Sequence, residues 1–373
     1  MDHFWWNLPG PNKFILNIVN DLHEGKNVIM CLPEHFPEGL YNAIKNNIQL
    51  DNKYWQKLDT NDWNDISPEE CLYKHFVNNY NPYKLINPNS LSNEESFSDY
   101  YVWLNGVKVE SWDVWKKFIV EYSHVIKSKP KTGRSVFCIP ITGDIVNNLP
   151  EEDVCLAIYF WKGVVDLLDM QIFVSYLLSE SKYNVNNKNI LISVISRIAL
   201  WDPILSEILT NENFQTVLNP YEILKKIGLE RKWSYDNLYS NDNLWVKGMQ
   251  NYIGDKDQLH SAVLVFNDKN NEIKRRIWSG EVSVILPFIE EKRLEIINEI
   301  GKILKLPFKD KYNNIIDNIF DLEIGHIMDL IVKNKFYIDK NLFQLICRLR
   351  EIRNSLSHIE IPDPELLNFD NMN

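Results

Sequence analysis

Short apolar runs alternate with helix-period stretches through the first two-thirds of the chain, and helix-period stretches alone fill its end. Lys13–Leu22 keeps helical spacing and stops at Glu24-Gly25. The run Asn27-Val28-Ile29-Met30-Cys31-Leu32-Pro33 is apolar without alternation and bounded by turn residues, which predicts a buried strand. Helices are predicted from about Pro37 to Ile48 and from Pro68 to Asn78. Tyr100–Leu104 reads as a strand stopped by Asn105-Gly106, and Ser111 is the expected N-cap of a helix over Trp112–Ile126. After the turn-rich Lys129–Gly133, strands over Ser135–Ile141 and Val154–Phe160 precede helices over Leu167–Leu178 and Ile190–Leu209. This alternation predicts a layered α/β sheet with helices on its faces. From Val282 the pattern is helical only, over Val284–Ile303, Tyr312–Phe320, Ile324–Lys333 and Leu342–His358, which predicts an all-α bundle of four or more helices. The expected domains are residues 1–280, with a sub-boundary near 130, and residues 281–373, the join falling just after Lys274–Trp278.

The chain has 373 residues, 45% hydrophobic and 24% charged, which suits two or three globular domains and excludes disorder, collagen or coiled coil as its overall state. Twelve Trp, 17 Tyr and 17 Phe require a packed interior or an interface. A net charge of -11 argues against a surface built for nonspecific nucleic-acid binding, while leaving room for a local basic site. Five scattered Cys without a CxxC pair fit a reducing compartment. The N-terminus has no basic segment followed by an apolar one, and the most apolar stretch, Ile190–Leu205, is broken by Ser193, Ser196, Arg197 and Asp202. A cytoplasmic protein without a membrane partner is expected.

The last predicted helix carries the most specific chemistry. Leu342, Leu345, Ile346, Leu349, Ile352 and Leu356 form its apolar stripe, leaving Arg348, Arg350, Arg353 and His358 off it. Asn354 and His358, four apart, share a face. Arg353 and His358 lie about 140° apart around the axis, so they serve one site only if the helix end distorts or a partner surface completes the pocket.

Arg353-Asn354-x-x-x-His358 at the end of the last long helix resembles the signature of the HEPN superfamily, an Arg followed after four to six residues by His. The resemblance covers roughly Val282–Leu367, and Leu322-Glu323-Ile324-Gly325-His326-Ile327 is similar to an earlier helix of such domains. It implies metal-independent RNA cleavage that leaves 2′,3′-cyclic phosphate ends, often at a site shared by two such domains. Arg353 would then stabilise the phosphate, His358 transfer the proton and Asn354 orient an oxygen, with Arg348 and Arg350 as substrate-binding cations. It further implies a homodimer through the C-terminal domain, an RNA substrate, an operon-encoded protein partner, and the role of a toxin-like effector in bacterial anti-phage or abortive-infection defence. The Tyr found two residues after the His in one HEPN subset is replaced here by Glu360, which argues against the version modified on that Tyr. The first rival expectation is a noncatalytic dimerisation or partner-binding subunit, because such helical domains often lack catalysis and a helix C-terminus attracts cations by itself; the second is an ATP-dependent switch protein using an atypical nucleotide site.

The α/β part looks loosely like a degenerate P-loop or STAND-type ATPase core that has lost its phosphate loop. Gly25-Lys26 precedes a strand rather than following one, and no GxxxxGK[ST] exists, so a regulatory scaffold is expected and no cofactor. The pairs Cys31/His35 and Cys71/His75 have the residue types of a Cys2His2 zinc site, but core Cys and surface His is the reading adopted, with no metal. His260-Ser261 and the apolar run to Phe266 read as strand core, and Asp144, Asp166 and Asp169 as caps. Lys274-Arg275-Arg276 reads as a solvated linker, and Trp112, Trp115, Phe160 and Trp161 as core.

Overall fold

In a computed structural model, residues 2–48, 53–61, 63, 67–77, 85–234, 236 and 243–367 are described. The chain divides into two compact units, neither continuous in sequence: Met1–Asp169 with Trp233–His260, and Met170–Lys232 with Ser261–Asn373.

The first unit is built on five parallel strands, β1 (Asn27–Cys31), β2 (Tyr54–Asp59), β3 (Tyr100–Asn105), β4 (Val136–Ile141) and β5 (Leu156–Phe160), in the order β2-β3-β4-β1-β5. β1 is hydrogen-bonded on both sides and buried at every position, which is why its sequence runs apolar without alternating. Its one polar residue, Asn27, is fully satisfied: Oδ1 accepts from the Phe137 amide and Nδ2 donates to Ser123 Oγ, both at 2.9 Å. Helices Pro9–His23 and Leu40–Asn47 cover one face, through Phe14 against Tyr159 and Tyr41 against Trp103. Helix Val109–Lys127 covers the other, where Phe118 and Tyr122 meet Phe137 edge-on. A later hairpin, β6 (Gln250–Ile253) with β7 (Lys256–Leu259), belongs to the same unit, and Asn251 Oδ1 accepts from the Gly163 amide at 3.0 Å.

The second unit is helical: Val185–Ala199, Pro203–Thr210, Phe214–Leu218, Tyr221–Glu230, Ser261–Phe266, Asn270–Ile300, Ile324–Asn334 and Lys340–Ser357, with a small hairpin of β8 (Phe308–Lys309) and β9 (Ile315–Ile316). The architecture is therefore α/β followed by a helical C-terminal region. Among the described residues no helix is long and apolar enough to cross a membrane.

Several local expectations need correction. The helix expected over Ile190–Leu209 is two helices, because Asp202 caps the amides of Ile204 and Leu205, Pro203 opens the second helix, and Leu200 turns at φ +61°. Tyr312–Phe320 is a turn and β9 rather than a helix: the Asp310 carboxylate draws in the amides of Tyr312 and Asn314, with Asn313 at φ +69° between them. Ser261–Phe266 is a helix and not a strand, with Ser261 Oγ donating to the Ile198 carbonyl. Ser111 lies inside its helix, donating back to Lys108, and Phe160 is 46% exposed rather than core. Asp166 and Asp169 do cap reciprocally, each carboxylate accepting from the other's amide. Lys274–Trp278 and residue 281 fall within Asn270–Ile300, where Arg276 is buried and donates to Ser261 Oγ. The helices between Val185 and Glu230 group with the C-terminal ones, not with the sheet. Asn78 lies outside the described residues.

Along Asn270–Ile300, Ile273, Ile277, Ile285 and Ile289 make a buried row at four-residue spacing, and Glu281 takes its middle place with no exposed surface. Neither carboxylate oxygen has a hydrogen-bond partner among the described residues, and burial pushes the carboxyl up to about 9 from its ordinary 4.5. The folded state therefore keeps a proton that the unfolded chain releases. The contribution of Glu281 to stability is therefore greatest below pH 4.5 and falls as pH rises towards about 9. Urea denaturation across that window is expected to show a declining midpoint in the wild type and a flatter profile in Glu281→Gln.

Candidate functional site

Helix Lys340–Ser357 begins at Asp339, whose carboxylate accepts from the amides of Asn341 (2.7 Å) and Leu342 (3.2 Å). Ile346, Leu349, Ile352 and Leu356 are its buried stripe, with Leu342 and Leu345 half-buried. The cationic residues are thus left on the faces that the stripe does not use.

The five candidate residues have different surroundings. The Arg353 guanidinium pairs with Glu323 at 2.7 Å, with 38% and 55% of the two side chains exposed. Glu323 caps Ile324–Asn334, and its own amide donates to His326 Nδ1 at 3.2 Å, so Arg353, Glu323 and His326 form one cluster. Arg350 donates to Met328 Sδ at 3.2 Å on that same helix. Arg348 donates to the carbonyls of Leu366 (2.7 Å) and Glu365 (3.2 Å), tying the turn Pro364–Leu367 to the helix, and partial burial lowers its pKa. Asn354 and His358 are exposed, and among the described residues neither side chain makes a hydrogen bond or ion pair.

The backbone fixes where His358 sits. Its amide is shared between the carbonyls of Asn354 (3.2 Å) and Ser355 (3.1 Å). Ile359 follows at φ +60°, its amide reaching Leu356 O, and the Glu360 amide closes back on Ser355 O at 2.9 Å. This is a Schellman ending with a β-branched residue in the left-handed place that glycine usually fills. Trp278 Nε1 donates to the same Leu356 carbonyl at 2.7 Å, anchoring that last turn to Asn270–Ile300. The chain departs from helix only at and beyond His358, so the angular separation of Arg353 and His358 persists within one chain.

Sequence reasoning picked out Arg353 and His358 but not the Glu323 pairing. Residues 322–327 stand out as a segment, yet nothing in their spacing says which cation they meet. Trp278 was equally silent, since an indole inside a long helix reads as packing.

In the α/β unit, two backbone amides just beyond β1 are already engaged. The Leu32 amide donates to Ile141 O and the Glu34 amide to Val246 O, while Glu34 pairs with Lys247 at 3.0 Å. Trp6, Phe14 and Phe36 crowd edge-on or tilted around Trp161 and each other. Gly25-Lys26 is a helix-to-strand turn in which Lys26 pairs with Asp21, and the Gly10 amide near the start of Pro9–His23 is taken by Asp169. Cys31 and Cys71 are buried thiols raised to about 12 and about 11, chiefly by burial, and no His/Cys/Asp/Glu group able to hold a metal occurs among the described residues. His260 is buried with its ring 5.0 Å from that of Trp233.

A scan against protein-family models matched no family, and a search of curated proteins found no match to the chain.

The strained ending gives a direct check. Replacing Ile359 with Gly removes a left-handed penalty of about 1–2 kcal/mol for an L-residue, offset in part by the greater freedom of Gly in the unfolded chain. Ile359→Gly is expected to raise stability by about 0.5–1 kcal/mol, read as a higher urea midpoint.

Proposed function

We propose that this chain is a metal-independent ribonuclease effector with a HEPN-type C-terminal region, a cytoplasmic protein whose α/β unit senses a trigger or binds a partner in an anti-phage or abortive-infection response. The observation that carries the reading is the pair Arg353 and His358 on one short stretch of the last helix. The imidazole is exposed, and the guanidinium is held by one half-exposed carboxylate. An ion pair that exposed contributes about 0.2–1 kcal/mol, so an RNA phosphate competes with Glu323 for Arg353 on easy terms.

The chemistry follows from the residue types. The 2′-OH attacks the neighbouring phosphorus, one base takes its proton, and an acid delivers a proton to the departing 5′-oxygen, leaving a 2′,3′-cyclic phosphate. Imidazole suits either role near neutral pH. Because Arg353 and His358 point about 140° apart on one helix, the reading requires a homodimer in which two such helices face each other. Each protomer then supplies one His358, one acting as base and the other as acid, with the Arg353 groups balancing the phosphate charge. Asn354, beside Arg353 and exposed, orients a ribose or phosphate oxygen. The noncatalytic alternative, a dimerisation and docking module, draws on the structural bonds that already engage Arg348 and Arg350.

The test compares wild type, Arg353→Ala and His358→Ala on total cellular RNA, with cleavage ends mapped and toxicity scored on overexpression. The expected outcome is wild-type fragments with 2′,3′-cyclic ends and at least a hundredfold loss in both folded variants, the scale of a lost proton-transfer group for His358 and of a lost charge-stabilising donor for Arg353. Equal behaviour of all three proteins in the presence of phage-infected extract would leave the docking-module reading in its place.

A further inference from the structure

The sheet edge at β2, the outermost strand among the described residues, carries a second cationic feature, unrelated to Arg353 and His358. Trp55 and Lys57 point to the same face of β2, beside Tyr101 and Trp103 of β3 in register. Tyr41 and Lys45, four apart on helix Leu40–Asn47, reach the same place. The Lys57 ammonium lies 4.9 Å from the Tyr41 ring centroid and that of Lys45 lies 5.8 Å from it. Trp55 Nε1 donates to Tyr41 Oη at 3.0 Å, and Tyr41 also stands edge-on to the buried Trp103 at 5.3 Å, so the ring between the two lysines is held in place.

Both lysines are exposed, and among the described residues neither forms an ion pair; Asp59 feels Lys57 only as a more distant charge. On a chain with 51 acidic and 40 basic side chains, two ammonium groups converging on one aromatic ring with no ion-pair partner among the described residues stand out. Both ammonium groups are positive, and an anion at the border of that ring is attracted by whichever of them it reaches. Trp55 is half-buried beside them, so part of its side chain is exposed. A ring to stack on, with two cations at its border, matches a nucleotide: base on indole, phosphate on ammonium.

We infer that Tyr41, Lys45, Trp55 and Lys57 form a binding site for single-stranded nucleic acid on the edge of the sheet. A single strand fits where a duplex does not, because stacking requires an unpaired base face. The site stands independently of the reaction proposed for the helical unit.

Fluorescence anisotropy of labelled 12-nucleotide strands binding to the full chain tests it, using uncleavable 2′-O-methyl RNA, DNA of the same sequence, and the matching duplex. Lys45→Ala/Lys57→Ala is expected to weaken single-strand binding about tenfold and to reduce the slope of log K against log salt by about 1.4, the value for two lost phosphate contacts. Trp55→Ala is expected to cost about tenfold, whereas Trp55→Phe, which keeps a flat ring, retains most of the affinity. A preference between the RNA and DNA strands would identify the natural source of the ligand. Absence of single-strand binding by the wild type, equal or tighter binding of the duplex, or an unchanged salt slope in the double-lysine variant overturns the site. Loss of RNA cleavage in Arg353→Ala with binding intact would separate this site from the proposed reaction.

Discussion

In the helical unit, the arrangement of the later helices depends on one close crossing. Helix Asn270–Ile300 passes Val185–Ala199 at Gly280, where a Cβ would stand 2.8 Å from the Val194 Cα. Only glycine permits that approach without shifting the backbone. The crossing draws polar groups into contact: Ser193 Oγ meets Ser283 Oγ at 2.8 Å, and Arg197 donates to Ser193. Two positions before Gly280, Trp278 reaches the carbonyl of Leu356, and so the candidate site is suspended from the same helix that the crossing fixes. Leu356 precedes His358 by two residues, which makes the location of the imidazole a consequence of packing well away from it.

The parts of the fold that were readable in the chain are those in which one local rule decides the outcome. β1, β3, β4 and β5 are continuous apolar runs between turn residues, and parallel strands covered on both faces leave that mark. The misreadings come from competition between rules. Asp202-Pro203 contains its own helix-start signal inside an apolar periodic stretch, and periodicity was the weaker guide there. Tyr312–Phe320 has helical spacing, but a single carboxylate, Asp310, organises the preceding turn. Lys274–Arg276 reads as a solvated linker because charge usually means solvent; burial of Arg276 against Ser261 depends on a partner no local window contains. The candidate site divides in the same way. The positions of Arg353 and His358 around the helix follow from its geometry, whereas Glu323 and Trp278 arrive from elsewhere in the chain.

Electrostatically, the chain uses its cations in two distinct ways. Arg231 and Arg276 are buried or nearly so and are committed, Arg231 to Asp202 at 2.6 Å. Truncating such a pair leaves a buried charge behind and costs several kcal/mol, roughly 3–5. Arg353, Lys45 and Lys57 are at or near the surface, where solvent and salt weaken any local attachment. Net acidity then has a simple effect: it repels polyanions from most of the surface and leaves exposed cations as the places where one can settle.

The interleaved course of the chain constrains how it emerges from the ribosome. All five strands of the sheet have been made once Phe160 is out, yet Val246 O, Trp233 and Asn251, which hold the Glu34 amide, the His35 ring and the Gly163 amide, come much later. At roughly 5–20 residues per second, the nascent sheet waits on the order of seconds with the segment after β1 unclasped. Helix Val185–Ala199 waits in turn for Asn270–Ile300, exposing Val194 and its apolar neighbours meanwhile. Each unit is completed only after the other has begun, so a cut after any residue from 170 to 232 divides both units between the two fragments, and neither fragment holds a whole unit to fold around.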